Sequence, residues 1–438
     1  MFKTSFLSFI FTFLSAISLY GADDASNLKQ ICESTPRKGL SNFFSKALSG
    51  KPVTVCYLGG SITAQGGWRV QSLDYFRKHF PKADFKENNA AIGGTGSQLG
   101  VLRMDKDVLK VKPDLLFVEF AVNDDGTRND SIIYQSMEGI VRKTWKLYPD
   151  CDICFVYTVT DRILDRIPTG YFNRAATVME QIANFYGIPS LFLPTDVLSL
   201  LKEGKLVMKT PNGVMAAVAG NTLDVKSDNL AEADGKIYFS PDGTHPYLNT
   251  GHKLYTQVIV RNFEKMEKLK IAPFKHLLGK PLNADNFENS QTLSLDSLPK
   301  QGPWKLADMS DPNLKKFSDR FEKPWSAMPG AAIDFSFKGS GLFCYDIFGP
   351  EGVILEVTID GRTRKLTRFD GYCSFWRING IVLALGLDKN MLHHATIKVS
   401  DEVPDKRKLL FERSVADFDQ HPEKYKPNVW YVNSFFLF

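Results

Sequence analysis

The chain has 438 residues, 43% of them hydrophobic and 12% aromatic, which suits two or three packed domains and excludes a disordered or fibrous protein. Lysines and arginines number 54 against 49 acidic residues, and the net charge of +5 is spread without a basic cluster, so nucleic acid is not expected as a partner. Of the six cysteines, Cys151 and Cys154 make a single C-x-x-C pair with no second pair and no nearby histidine, so no zinc site or other cofactor is expected.

Residues 1–21 hold one lysine, a long apolar run and small residues near Gly21 and Ala22. That pattern predicts a secretory signal peptide, hence a secreted or periplasmic protein with no membrane attachment after cleavage. No later run reaches the ~18 consecutive apolar residues of a membrane span. After an amphipathic segment at 39–50, "VTVCYL" (Val53–Leu58) is apolar, β-branched and uncharged, as a strand buried on both faces would be. Gly59 and Gly60 break it, and helical spacing resumes with Val70, Leu73, Tyr75, Phe76 and Phe80 before Pro81. Further strand signals follow in "ADFKENNAAI", "DLLFVEF", "ICFVYTV" and "IPSLFL". Between them, Ile133, Met137, Ile140, Val141 and Tyr148 fall on one helical face, and Gly187 ends "YFNRAATVMEQIANFYG" where a C′ glycine belongs. Strand alternating with helix predicts an α/β domain over 22–275 with a parallel sheet covered on both faces. Residues 200–237 break the alternation and read as a loop or hairpin insertion. Beyond 276 the texture changes to short alternating runs between glycine turns, predicting a jelly-roll-like β-sandwich over 276–438. There Trp304, Trp325 and Trp376 read as core residues in preference to sugar platforms, and Cys344 and Cys373 lie in one domain where a bridge is allowed. Cys56 and Cys154 read as small buried hydrophobes.

Four segments carry chemistry. Ser61 stands on the strand-to-helix turn after Gly60, where either Ser61 or Thr63 would cap a helix, or Ser61 would meet a ligand. Gly93, Gly94 and Gly96 follow the second strand signal, and glycine lets a backbone N–H approach a ligand closely. Asn123 and Asp124 follow the third, where an amide can donate to a developing oxyanion. "SPDGTHP" supplies Asp242 and His245, then Pro246. Each piece alone is an ordinary turn or cap. Together, in this order, they supply a nucleophile, an oxyanion hole, a base and the carboxylate that orients the base. Glu119, Asp124, Asp125 and Asp130 read as caps and turn formers, not cation ligands.

These blocks, over about residues 50–265, resemble the SGNH, or GDSL-like, hydrolase superfamily. The resemblance implies a three-layer α/β/α sandwich with a flavodoxin-like parallel sheet. It also implies Ser61 as nucleophile, His245 as general base, Asp242 as its orienter, and an oxyanion hole of the Ser61 and Gly94 backbone N–H groups with the Asn123 side chain. Gly94 is placed by counting from Asn89. Two departures bear on the substrate subclass: the family's Gly-Asp-Ser is Gly59-Gly60-Ser61, and its Gly-x-Asn-Asp is Ala121-Val122-Asn123-Asp124. The two-domain exported layout is similar to carbohydrate-active acetylesterases, so the expected partner is an acylated poly- or oligosaccharide. The alternatives are a non-catalytic carbohydrate-binding protein and a hydrolase of the same fold acting on a lipid or sulfate ester. A dinucleotide site fits poorly, because Gly94-x-Gly96-x-x-x-Gly100 is not G-x-G-x-x-G.

Overall fold

The computed structural model describes residues 28–127, 129–166, 170–211, 218–219, 222–223, 232–233 and 235–438. The signal peptide expected at 1–21 and most of 212–234 lie outside the described residues.

The first domain is built on a six-stranded sheet. Its strands are β1 (Ser34–Thr35), β2 (Val53–Gly59), β3 (Phe85–Asn89), β4 (Leu115–Glu119), β5 (Asp152–Tyr157) and β6 (Ser190–Phe192), in the order β1-β6-β5-β4-β2-β3. All neighbours pair in parallel except the short edge strand β1. From β2 the chain steps to β3 on one side and then to β4 on the other, the flavodoxin-like arrangement. The carboxyl ends of β2 and β4 therefore flank the point where the sheet order reverses and ligands bind.

Successive residues of each strand enter opposite cores, as the two-residue period of a strand dictates. Val53, Val55 and Tyr57 join Phe117, Phe76 and Phe263 on one face, under helices Ser41–Leu48, Trp68–His79 and Gly251–Glu267. Cys56 and Leu58 join Leu116, Val118, Met137 and Ile182 on the other, under Asp130–Leu147 and Arg174–Tyr186. Gly187 ends the latter helix in the left-handed region, φ 72°, as its position predicted.

The second domain is an antiparallel β-sandwich. One sheet carries Trp304–Leu306, Trp325–Ala327, Trp430–Leu437, Gly341–Phe348 and Arg377–Leu385, with Gln291–Ser294 paired to Trp430–Leu437. The other carries Lys300–Gln301, Ala332–Phe337, His393–Val399, Ile354–Ile359 and Arg362–Thr367. Gly341–Phe348 is buried at every position. Leu342 and Cys344 face the sandwich core, whereas Phe343, Tyr345 and Ile347 pack into the apolar cluster of the first domain. The two domains thus share one continuous core.

The bridge allowed between Cys344 and Cys373 does not form, and both are free thiols. Cys344 points into the sandwich, while Cys373 belongs to a separate cluster with Phe348, Phe369, Leu410 and Tyr425. Cys56 and Cys154 are fully buried hydrophobes. The three tryptophans are half-buried. Trp304 donates Nε1–H to the Ala332 carbonyl (3.0 Å), and Trp325 donates to Asp296 (2.9 Å) beneath the Lys300 ammonium. Trp376 packs on Gly349, where a Cβ would come within 2.5 Å of the indole.

Candidate active site

β2 ends at Gly59, and Gly60 is the N-cap of the single-turn helix Ser61–Ala64, with no side chain capping it. The capping reading of Ser61 and Thr63 therefore fails. Thr63 turns inward and donates its hydroxyl to Glu119 (2.9 Å), which frees the Ser61 Oγ to meet His245 Nε2 at 2.8 Å. His245 Nδ1 lies 2.6 Å from Asp242 Oδ2. The other Asp242 oxygen accepts the backbone N–H groups of Thr244 (2.9 Å) and His245 (2.8 Å). Burial of Asp242 favours its neutral form, but the His245 hydrogen bond and charge, with those two N–H groups, outweigh it and hold the carboxyl below its ordinary value. An ionised Asp242 keeps the imidazole proton on Nδ1, leaving the Nε2 lone pair for the serine hydroxyl.

The turn bearing this pair is fixed from below. Gly243 has φ 82°, and a Cβ there would sit 2.1 Å from an Asp161 carboxylate oxygen. Asp161 N–H donates to the Gly243 carbonyl (2.9 Å). The turn follows strand Lys236–Ser240, which pairs in parallel with β7 (Leu206–Lys209). Both strands reach into the 200–237 span that sequence reads as an insertion, so this small sheet carries the Asp–His pair.

Asn123 lies in the turn of helix Ala121–Asp124 after β4, with its amide against Gly60. A Cβ on residue 60 would come within 1.9 Å of Asn123 Oδ1. A side chain at residue 60 would therefore have to displace Asn123, while Gly60 itself has an ordinary φ of −89°. Asn123 makes no hydrogen bond among the described residues, so its amide donor is available. Gly94, with φ 73° and open space beside its Cα, lines with Asn123 a cavity of about 160 Å³. Thr95, Gln98 and Asp124 line it too, with Phe343, Asn379 and Gly380 from the sandwich domain. Ser61 is not part of that lining. Grooves of about 580 and 670 Å³ elsewhere contain none of the motif residues.

The carboxylates of the third block have structural partners. Asp124 accepts the Ser97 N–H (2.9 Å) at the start of helix Ser97–Leu102, and burial pushes its pKa up to about 6 against that bond. Asp130 pairs with Arg174. Sequence reasoning missed three residues around Ser61: Gln65, His252 and the catalytic-side role of Glu119. Glu119 is fully buried at the end of β4, where it accepts the hydroxyls of Thr63 and Thr158 (2.8 Å) and a bond from Gly60 N–H. The signal was present, because a lone carboxylate in "LLFVEF" has to be buried and supplied with donors.

Burial raises the Glu119 pKa from the ordinary 4.5 to about 7, its hydrogen bonds only partly opposing the shift. Between those values the folded state binds more protons than the unfolded one, so this group's contribution to stability is present at low pH and lost as pH rises to about 7. Glu119→Gln has no charge to bury. Its stability relative to the wild type is expected to improve by on the order of 1–3 kcal/mol between pH 4.5 and 7, read from urea unfolding at both pH values. A gap that stays constant across that range contradicts the assignment.

Residues 57–210 match the GDSL-like lipase/acylhydrolase family. The chain carries a GDSL-like hydrolase domain. The match takes in Ser61, Gly94 and Asn123, while Asp242 and His245 lie beyond it. Among solved structures, a two-domain esterase (CEX) active on acetylated mannans, co-crystallised with mannopentaose, is 20% identical with a TM-score of 0.65, covering 94% of this chain and 97% of that one. A second structure of CEX gives a TM-score of 0.67 at 20% identity and covers 94% and 98%. At that identity the likeness is one of fold, extending over both domains of this chain. No curated protein matches the chain.

Proposed function

We propose that the protein is an exported serine esterase that removes acetyl or other short acyl groups from a carbohydrate. The observation that carries this reading is the unbroken chain from Asp242 through His245 to Ser61, at 2.6 and 2.8 Å, where the sheet order reverses. In this reading His245 Nε2 takes the Ser61 proton as Oγ attacks the ester carbonyl. The tetrahedral oxyanion is met by Asn123 and the N–H groups of Ser61 and Gly94, and collapses as the imidazolium protonates the departing sugar oxygen. Water, deprotonated by the same imidazole, then releases the acyl group from Ser61. Asp242 stays ionised throughout and stabilises the imidazolium. The likeness to CEX, an esterase active on acetylated mannans and co-crystallised with mannopentaose, supports a carbohydrate ester as substrate. So does the 160 Å³ cavity beside Gly94 and Asn123, with Asn379 of the second domain on its wall. Export is supported by the apolar segment at 1–21.

Nucleophile, base and oxyanion donors all come from the protein, so purified protein treated with chelator is expected to release acetate from an aryl acetate and from acetylated manno-oligosaccharides. Acetate release from neither, or activity that returns only with a divalent cation, contradicts the proposal. Asn123→Ala is expected to lower kcat by on the order of 10²- to 10³-fold, since the lost donor meets charge that develops only in the transition state. KM should change little. A raised KM with kcat unchanged assigns Asn123 to substrate binding instead.

A further inference from the structure

One fully buried titratable group beside the site has no part in the proposed chemistry. His252, on helix Gly251–Glu267, is 0% exposed, as is Gln65 just past the nucleophile turn. We propose that Gln65 and His252 are positioning residues, a brace that holds the His245 turn in register with Ser61. The inference rests on the triad proposed above.

The hydrogen bonds admit one arrangement. Trp68 N–H donates to His252 Nδ1 (3.1 Å), so the ring proton of the neutral imidazole is on Nε2. Nε2–H then donates to Gln65 Oε1 (3.1 Å), which fixes the amide and turns Gln65 Nε2 toward the Pro246 carbonyl, a longer contact of 3.4 Å. Gln65 N–H in turn donates to the Ser61 carbonyl (3.1 Å). The chain of bonds starts on the nucleophile's own carbonyl and ends on Pro246, the residue next to the base. Packing enforces it: a Cβ at Gly67 would lie 2.1 Å from the His252 ring, and one at Gly251 would lie 2.6 Å from Pro246 Cβ. His252 N–H also holds the Tyr247 carbonyl (3.0 Å).

The brace works only with a neutral imidazole, because a proton on Nδ1 would face the Trp68 N–H. Burial pushes the His252 pKa down to about 3, and the charged groups that bear on it, His245 and Arg69, act in the same direction. The ring also lies edge-on to Tyr255, whose hydroxyl is occupied by Val159 N–H. A core histidine that only filled space would have no reason to end its bonds on the carbonyl beside His245.

The test uses the full-length protein. In ¹⁵N-histidine NMR from pH 5 to 9, His252 is expected to stay neutral with its proton on Nε2. Gln65→Leu, which keeps volume but breaks both links, is expected to lower kcat by on the order of 10²-fold with KM little changed, as for a misplacement of about 1 Å. Gln65→Glu keeps both links only while its carboxyl is protonated. Its kcat/KM relative to the wild type should therefore recover toward acid pH, a signature that a space-filling role does not give. The inference is overturned if His252 titrates between pH 5 and 9 or carries its proton on Nδ1. It is equally overturned if Gln65→Leu turns over within about twofold of the wild type, or if the Gln65→Glu ratio is flat with pH. An inactive wild type would overturn the esterase reading instead, while the NMR arm still decides the brace.

Discussion

Ser61→Ala is expected to lower kcat on an aryl acetate by on the order of 10⁶-fold, the scale of losing a triad nucleophile. Stability should hardly move. The N-cap of the short helix is Gly60 and not Ser61, the lost hydroxyl has His245 as its one hydrogen-bond partner among the described residues, and removing one buried oxygen leaves little cavity. The residual rate over water should remain near 10³- to 10⁴-fold, because Asn123 and the backbone N–H groups of residues 61 and 94 are untouched. Steady-state kinetics with active-site titration of the acyl-enzyme, alongside circular dichroism, measures both effects. If the variant retained even a hundredth of the wild-type turnover with the fold intact, the nucleophile would have to be sought elsewhere.

The blocks bearing Ser61, Gly94, Asn123, Asp242 and His245 were legible because each needs a break in a strong pattern. Gly59-Gly60 interrupts an uncharged strand, and Asn123-Asp124 ends "LLFVEF". β2, β4, β5 and β6 were legible because burial on both faces leaves continuous apolar runs, whereas the edge strand β3 is polar and only partly buried. Other features were hidden by physics that acts between distant segments. Gly341–Phe348 does not alternate, because one of its faces belongs to the sandwich and the other to the hydrolase domain, so it gave no strand period. The tight fit of Gly60 against Asn123 joins two strand ends far apart in sequence and follows no local pattern. Gln65 and His252 lie 187 residues apart and follow no motif spacing. The small sheet under His245 went unread because its strands are short and its partners, Leu206–Lys209 and Lys236–Ser240, are separated by a polar stretch. Cysteine spacing left a Cys344–Cys373 bridge open for the same reason, since the two share a domain but not a core.

Asp242→Asn tests whether the Asp–His–Ser chain acts as one unit, and the geometry dictates how it should fail. In the wild type one oxygen of Asp242 holds the N–H groups of Thr244 and His245, and the other faces His245 Nδ1. In the variant the amide oxygen must keep the two N–H groups, so the NH₂ is forced toward Nδ1. The imidazole answers by accepting there, which moves its proton to Nε2, facing Ser61, where it can take nothing from the hydroxyl. The fold is retained because the turn keeps its backbone bonds, yet kcat should drop by on the order of 10⁴-fold. His245→Ala removes the base itself and should lower kcat as far as Ser61→Ala does. The Asp242 carboxyl is held below its ordinary value, so it is ionised at neutral pH and its loss in Asp242→Asn removes a charge that faces His245. The Ser61→Ala/His245→Ala double variant should lose no more than either single change, because groups that act as a unit are not additive. Losses that multiplied in the double variant, or an Asp242→Asn protein with the wild-type rate, would separate the three residues and leave Ser61 without the activation that its 2.8 Å contact implies.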